Sequence, residues 1–296
     1  MAADHCFLNG RYLRTRNARV SALDRGLLFG EGLFETWRTY RGKPFALREH
    51  LARMSRSADK LGIDFDPNEP WDTRTVRLAR LCGLGMTGGA LRLTITRGSG
   101  PISLVATQTV RPTKLMVFRP LEPGLAKARL NGVAVHLADF GHGVFPAMRQ
   151  TKSVNYLPAV LARGEARKRG CFESLYRLSD KTVLEGTTSN FFIVRHGRLL
   201  TPPVAAGIIP GVTRALVMRI ARRFVEVIER RVTENDLLTA DEMFITSSTI
   251  EIVPVTKVGR RRVGRGEPGP VTAELQARYR SLVARRMGMA AGELGE

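Results

Sequence analysis

The sequence of 296 residues predicts an α+β protein of two domains. The length suits one large or two medium domains with ample hydrophobic core. Strand patterns and helix patterns both occur throughout the chain, and a proline- and glycine-rich segment at 119–124 interrupts them. We therefore expect a smaller N-terminal α+β domain over 1–118, a linker over 119–125 and a larger C-terminal domain over 126–296.

The N-terminal part begins with a hairpin signal, the pair Asn9-Gly10 within 7–12. Apolar residues recur at helical spacing from Leu47 to Leu61, which predicts an amphipathic helix ending at Gly62. A second helix is expected over 73–84, and strands over 91–96 and 114–118.

The C-terminal part alternates helix and strand signals. Leu157, Val160, Leu161 and Gly164 share one face of a predicted helix that stops near Gly170. A further helix is predicted through Leu216, Ile220, Phe224 and Val227, and a terminal one over 276–286, with a tail that frays after Met287. Strands are expected over 174–178, 191–194, 243–246 and 251–255.

The formal net charge is +20, an excess that is also found in nucleic-acid-binding proteins. The arginines are spread along the chain, however, and aromatic residues are not interleaved with them. The densest basic run, 259–265, lies in a glycine-rich stretch. We interpret the charge as a solvated surface that also attracts an anionic substrate.

Composition excludes several other classes. The sequence contains no run of about 18 apolar residues, so no membrane span is predicted. The N-terminus lacks the pattern of a secretory signal. Neither the three scattered cysteines (Cys6, Cys82 and Cys171) nor the histidines have metal-ligand spacing, so no metal site is predicted. A cytoplasmic protein is expected.

Two segments carry side chains that could bind and activate an aldehyde cofactor. Lys152 opens the segment KSVNYL at 152–157, and Glu185 lies in LEGTTSNFF at 184–192. A lysine amine can form a Schiff base with an aldehyde, and a carboxylate can keep a pyridine nitrogen protonated. Taken alone, Lys152 could equally be a surface charge and Glu185 a turn residue before Gly186.

With two further segments, DRGLLFGEGLFET at 24–36 and SSTIEIVPV at 247–255, the sequence resembles the class IV aminotransferases, the fold-type IV enzymes that use pyridoxal 5'-phosphate. That family includes branched-chain and D-amino acid aminotransferases and 4-amino-4-deoxychorismate lyase. The resemblance spans nearly the whole chain. It implies two α+β domains with the cofactor in the cleft between them.

The resemblance also assigns cofactor residues. Lys152 matches the Schiff-base lysine, Glu185 the carboxylate that faces the pyridine nitrogen, and Tyr156 a tyrosine that bonds the phenolic oxygen. Thr188 and Ser189 match positions beside the ring. The alternative interpretation is that Tyr156 has no role in cofactor binding and is a half-buried residue at the start of a helix.

The phosphate requires donors and a cation. Val212 and Thr213 match the family's phosphate-binding pair, at the start of a predicted helix whose N-terminus favours anions. Ser248 matches a second hydroxyl on the phosphate, with Ser247 assisting. Arg53 matches the phosphate arginine, although it lies off the apolar stripe of its helix, and periodicity alone predicts that it is solvated.

Four residues match substrate-pocket positions. Phe34 matches a ring that lines the pocket, and Thr36 follows it where lyases carry threonine. Arg38 and Arg92 are candidates for binding a substrate carboxylate, or are exposed strand residues. The segment 99–104 lacks the arginines that D-amino acid aminotransferases and lyase-like relatives carry, which leaves substrate identity open.

Two reactions compete on this scaffold. We expect transamination between an amino acid or amine and a 2-keto acid, with aminodeoxychorismate cleavage to pyruvate and 4-aminobenzoate as the alternative. Thr36 favours the lyase and Tyr156 the transaminase. The resemblance further implies a homodimer. We expect no nucleic-acid or membrane partner, and a basic non-catalytic protein is the remaining alternative.

Overall fold

The computed structural model describes residues 4–105, 111–140, 148 and 150–294. The chain divides into two compact units. The first comprises Met1–Glu122, Thr151–Asn155 and Ala284–Gly295, and the second Pro123–Gln150 and Tyr156–Val283. Lys152 thus belongs to the first unit, although it follows the proposed linker in sequence. The boundaries 1–118, 119–125 and 126–296 stay a prediction.

The first unit is built on a six-stranded antiparallel sheet of strand order β2-β1-β6-β5-β3-β4. Its strands are β1 (His5–Leu8), β2 (Arg11–Arg14), β3 (Gly32–Tyr40), β4 (Lys43–Pro44), β5 (Gly89–Thr96) and β6 (Thr113–Arg119). Its helices are α1 (Arg25–Leu28), α2 (Leu47–Leu61) and α3 (Trp71–Leu81).

Alternate residues of β3 and β5 form the core of this unit. Leu33 and Trp37 point to the same face as Leu91 and Leu93, and all four are at most 1% exposed. Residues of α2 and α3, among them Met54, complete this apolar cluster. The intervening residues of β3, beginning with Phe34, therefore lie on the opposite face of the sheet.

The second unit contains a nine-stranded mixed sheet of order β12-β11-β10-β13-β14-β7-β8-β9, with β15 paired to β14. Its strands are β7 (Val133–Asp139), β8 (Glu173–Arg177), β9 (Val183–Gly186), β10 (Asn190–Arg195), β11 (Arg198–Thr201), β12 (Glu226–Glu229), β13 (Glu242–Ser247), β14 (Glu251–Val258) and β15 (Arg261–Arg262). Its helices are α4 (Leu125–Asn131), α5 (Leu157–Lys168), α6 (Val212–Ala221), α7 (Glu234–Leu238) and α8 (Pro270–Met287), whose last residues count with the first unit.

Most predicted elements are confirmed, and both units combine helices with sheet as an α+β protein should. Asn9 and Gly10 take positive φ angles of 48° and 91°, as a two-residue hairpin turn requires. Gly62 ends α2 in the left-handed conformation. Some boundaries were wrong: α6 ends at Ala221, and Val227 lies in β12, where it pairs in parallel with Leu199. In addition, α3 ends at Leu81 rather than at 84, and α8 begins at Pro270 rather than at 276.

The predicted stripe on α5 has an unexpected environment. Leu157, Val160 and Leu161 are 66%, 63% and 65% exposed. The buried positions of this helix are Ala159 and Ala166 instead. The periodicity correctly identified one face of the helix, and that face is directed outward.

Candidate active site

Backbone pairing with β3 holds the segment that carries Lys152. The N–H of Phe34 donates to the carbonyl of Lys152 at 2.9 Å, and the N–H of Val154 donates to the carbonyl of Gly32 at 2.9 Å. The neighbours Thr151 and Ser153 are buried, and Lys152 is half-buried. The start of β3 therefore fixes the backbone from which the lysine amine projects.

The ring of Phe34 brings two cationic side chains together. Lys152 Nζ lies 4.4 Å from the ring centroid, and Arg92 Cζ lies 3.4 Å from it. Thr36 stands opposite Arg92 in the β3–β5 register. Four predicted residues of the first unit (Phe34, Thr36, Arg92 and Lys152) thus share one face of the sheet. Arg38, further along this face, is buried at 2% exposure, with Cζ 4.6 Å from the Tyr40 ring centroid.

The opposite face of β3 carries Glu35, which sequence reasoning did not select. Both of its carboxylate oxygens accept hydrogen bonds from Arg53, each at 2.7 Å. Glu35 Oε2 also lies 2.7 Å from His50 Nδ1. Arg53 is therefore buried and ion-paired, and the prediction of a solvated arginine from periodicity alone was wrong.

These contacts determine the charges of the cluster. Burial alone would raise the pKa of Glu35, but the charge and hydrogen bonds of Arg53, together with His50, hold that pKa well below its usual range. Burial lowers the pKa of His50, and the charges of Arg53 and Lys152 lower it further against the opposing effect of Glu35. The cluster thus contains an ionised Glu35, a charged Arg53 and a neutral His50.

In the second unit, Glu185 is fixed by a backbone amide and a side-chain amide. The N–H of Ile209 donates to its two oxygens at 3.0 and 3.1 Å, and Asn190 Nδ2 donates to Oε2 at 3.1 Å. Asn190 Nδ2 also donates to the carbonyl of Ile209 at 3.0 Å. Asn190, a residue that sequence reasoning missed, therefore joins the carboxylate to the segment that precedes α6.

The first turn of α6 begins with the predicted phosphate pair. Gly211 is the N-cap and provides no side-chain cap, so no side chain of the cap residue occupies the amides of this turn. Val212 and Thr213 are buried, and the turn contains no acidic residue. Ser247 and Ser248 lie half-buried where β13 ends. These groups have the donors that an anion requires.

Glu173 organises the turn that contains Thr188 and Ser189. Its carboxylate, 1% exposed, accepts hydrogen bonds from the hydroxyls of Thr187, Thr188 and Ser189, the last two at 2.9 and 3.2 Å. Arg163 of α5 donates to it at 3.0 Å. Sequence reasoning did not select Glu173, because it lies outside the segment 184–192 and precedes its partners there by 14–16 residues.

Tyr156 is half-buried at the N-cap of α5. Burial raises the pKa of Tyr176, and Tyr156, Glu173 and Glu185 raise it further. Tyr156, Glu173 and Glu185 therefore all lie close enough to Tyr176 to disfavour its ionised form.

Other features of the described part of the chain contribute no site. No group of three His, Cys, Asp or Glu side chains there could hold a metal ion; His142 lies outside the described residues. No described helix is long and apolar enough to cross a membrane. A cleft of about 680 Å³ between α2 and the segment 67–72 is lined by none of the predicted site residues.

Residues 32–258 match the family described as "Amino-transferase class IV". The chain belongs to the class IV aminotransferases. A Methanocaldococcus jannaschii chain whose name places it among the branched-chain-amino-acid aminotransferases is 37% identical over 279 residues, 93% of this chain and 95% of the relative. A D-alanine aminotransferase from Bacillus licheniformis is 33% identical, with 93% and 95% covered.

Solved structures and a lyase relative complete the comparison. The Escherichia coli branched-chain amino acid aminotransferase superposes with a TM-score of 0.85 at 27% identity, covering 95% of each chain. An aminodeoxychorismate lyase from Bacillus subtilis is 31% identical, with 94% of each chain covered. The predicted family, fold class and cofactor are confirmed: this chain is a class IV aminotransferase, a transferase dependent on pyridoxal 5'-phosphate.

Proposed function

We propose that this aminotransferase moves an amino group between an amino acid and a 2-keto acid, with Lys152 as its catalytic residue. The observation that carries the proposal is the half-buried Lys152, whose amine lies 4.4 Å from the Phe34 ring centroid and whose segment is held to the start of β3 by two hydrogen bonds of 2.9 Å. A surface lysine has no need of such restraint. A lysine that must attack a carbonyl carbon and then move a proton gains from it.

The residues present fit the cofactor. Glu185 offers a fixed carboxylate for a protonated ring nitrogen, and its bonds to Ile209 and Asn190 leave it little freedom. The first turn of α6, with the Thr213 hydroxyl, offers donors for a phosphate. We assign Ser247, Ser248 and Arg53 to the same phosphate, and Tyr156, Thr188 and Ser189 to the ring.

When bound, pyridoxal phosphate supplies the aldehyde and the electron-withdrawing ring that make amino-group transfer possible. Lys152 Nζ would hold the cofactor through its aldehyde, and the free amine would take the proton from the substrate's alpha carbon. Glu185 would stabilise a positive charge at the ring nitrogen of the bound cofactor. The hydroxyls of Thr188 and Ser189 are held by Glu173 rather than left to rotate.

The face of the first unit's sheet that carries Phe34, Arg92 and Lys152, here called the substrate face, suits a substrate with a carboxylate. Arg92 lies over the Phe34 ring on the same face as the lysine amine, and Arg92 Nε donates to Thr94 Oγ1 at 3.2 Å. The charge and planar donors of its guanidinium suit a carboxylate of an amino acid or keto acid. Arg38, buried beside Tyr40, is assigned to the same face with a supporting charge.

Cleavage of aminodeoxychorismate remains the second candidate. Thr36, the residue that favours it, stands directly opposite Arg92 on the substrate face. Pyruvate released from that substrate without any keto acid would support this reaction.

We further propose a homodimer located in the cytoplasm. The outward apolar face of α5 supports self-association, because three large apolar side chains at i, i+3 and i+4 are 63–66% exposed in one chain. A second copy of the chain would remove them from water.

Borohydride reduction of the cofactor-loaded protein, followed by digestion and mass spectrometry, tests the role of Lys152. We expect the tag on the peptide that contains Lys152; a tag on another lysine, or none, contradicts the proposal. A panel of L-amino acids, D-amino acids and amines, each added without an acceptor, then identifies the donor from the change in cofactor absorbance.

A further inference from the structure

The buried cluster of Glu35, His50 and Arg53 carries this inference. Their exposures are 1%, 1% and 6%, and the residues Leu33, Trp37 and Met54 of the same strand and helix belong to the apolar core cluster. His50 and Arg53 lie one helical turn apart on α2, and both bind the one carboxylate that β3 directs toward them. The His50 and Arg53 side chains thus both contact the Glu35 carboxylate.

The geometry at Glu35 is bidentate. Arg53 donates through Nε to Oε1 and through Nη2 to Oε2, so one edge of the planar guanidinium is aligned with the carboxylate. Two parallel bonds fix both the direction and the plane of an arginine, which a single bond does not. Because Glu35 is ionised, His50 Nδ1 is the donor to Oε2 and restrains the carboxylate in turn.

Stability alone gives little reason for such a cluster. A buried ion pair is often no more stabilising than apolar residues of the same volume, because both charges must be removed from water. The neighbouring positions Leu33 and Trp37 on the same face of β3 are apolar and fully packed. The charged residue Glu35 in this apolar row is therefore explained by a role in orienting Arg53, and not by the stability of the core.

We propose that Glu35 is the positioning residue of the phosphate arginine: it aligns the guanidinium of Arg53 so that the protein distinguishes a phosphorylated cofactor from its unphosphorylated form. The inference rests on the proposed function, in which Arg53 serves the phosphate. The carboxylate acts through Arg53 and does not touch the phosphate itself.

Positioning and simple charge pairing predict opposite effects of Glu35→Gln. If Glu35 only neutralises Arg53, its removal releases a positive charge, and affinity for a phosphate rises or stays constant. If Glu35 positions Arg53, its removal lets the guanidinium leave its alignment, and phosphate affinity falls.

The test is the affinity of the apoprotein for pyridoxal phosphate and for pyridoxal, measured by absorbance and fluorescence titration. Only the first ligand carries the phosphate, so the ratio of the two dissociation constants reports on its recognition. We expect Glu35→Gln to lower this preference about tenfold, the effect of losing one charge-assisted contact. The dissociation constant for pyridoxal should differ from that of the wild type by no more than about threefold, which is well below the expected change in preference.

Glu35→Asp provides a second variant should Glu35→Gln not fold. It keeps the charge but withdraws the carboxylate by one methylene, so a positioning role predicts a reduced preference and a charge-pairing role an intact one. In an Arg53→Met background, Glu35→Gln should cause no further loss. Glu31→Gln is the matched control, because Glu31 also pairs with two arginines of this unit, Arg25 and Arg97.

A preference for the phosphorylated ligand that survives both Glu35 variants overturns the inference and leaves the proposed function intact. A wild-type protein without that preference overturns both. A reduced preference in Glu31→Gln would show a general charge effect and would also overturn the inference.

Discussion

The two carboxylate oxygens of Glu185 share one donor, the backbone N–H of Ile209, at 3.0 and 3.1 Å. A main-chain donor cannot move aside, so the carboxylate keeps one orientation, and Asn190 closes the arrangement from the side. Preorganisation of this kind lets a charge act on a reaction without the cost of reorienting it.

Glu185→Gln should therefore impair catalysis far more than folding. The amide oxygen can still accept from Ile209, but the negative charge is lost, and we expect the rate of the amino-donor half-reaction to fall about 100-fold or more. Single-turnover absorbance measures it. Asp241→Asn is the matched control, since Asp241 also accepts from a backbone N–H, that of His196 at 2.9 Å. An unchanged rate in Glu185→Gln would remove this residue from the chemistry.

Glu173→Ala should destabilise the protein strongly. It leaves Arg163 and the hydroxyls of Thr187 and Ser189 without their buried acceptor. We expect a loss of about 3–5 kcal/mol in the free energy of unfolding by urea. Glu165→Ala, which breaks the exposed pair with Arg169, should cost less than about 1 kcal/mol. Similar losses in the two variants would show that the Glu173 cluster is no more than a surface contact.

Local patterns predicted much of this fold. The Asn9-Gly10 turn, the α2 helix and its stop at Gly62 depend on neighbours in sequence, and all three are confirmed. The segment containing Glu185 could be found because its residues are contiguous. Such features require no knowledge of which strands pair.

Features that depend on distant partners could not be predicted. The pairing of 152–154 with the start of β3 joins residues more than a hundred positions apart. Apolar periodicity located Leu51 and Met54 on α2. It did not predict that His50, Arg53 and Ser57 are buried as a second stripe at i, i+3 and i+7, of which Glu35 binds the first two. The outward face of α5 looks like any core-facing stripe, because sequence does not state what covers it.

The stability of the protein should decrease on acidification, in two stages. The pKa of His50 is lowered in the folded state, so below its unfolded value of about 6.5 the unfolded chain binds a proton that the folded chain does not, and stability falls. The pKa of Glu35 is also lowered, so its contribution is lost at more acid pH, below the unfolded value of about 4.3.

His50→Gln separates the two stages. It should flatten the dependence of unfolding free energy on pH between about 6.5 and 5, by at most about 1.4 kcal/mol per pH unit, and leave the decline at more acid pH. Urea unfolding at several pH values measures both slopes. At pH 8, where His50 is neutral in both states, variant and wild type should have equal slopes. An unchanged slope between pH 6.5 and 5 would contradict the neutral, buried His50.

The α5 face should determine the oligomeric state. Leu161→Asp places a charge at a position that is 65% exposed in the single chain, so it should change the unfolding free energy of the monomer by no more than about 0.5 kcal/mol. It should nevertheless convert a dimer into monomers in sedimentation velocity. Leu130→Asp on α4, at 76% exposure, is the matched control and should leave the dimer intact. If both variants stay dimeric, the second copy binds elsewhere.

Arg92→Met should separate substrate binding from catalysis. Arg92 Cζ lies 3.4 Å from the Phe34 ring centroid, and its loss removes the charge proposed to bind the substrate carboxylate. A charge-assisted contact of about 1.5–3 kcal/mol corresponds to a rise in KM for the keto acid of roughly 10- to 100-fold, with kcat changed much less. An amine donor without a carboxylate should lose nothing, which provides a control within the same variant.

Arg77→Met provides the matched control, because Arg77 Cζ lies 4.3 Å from the Tyr12 ring centroid in the same unit and has no proposed substrate contact. Equal losses for the amine and the amino acid would mean that Arg92 supports the ring of Phe34 and does not bind the carboxylate.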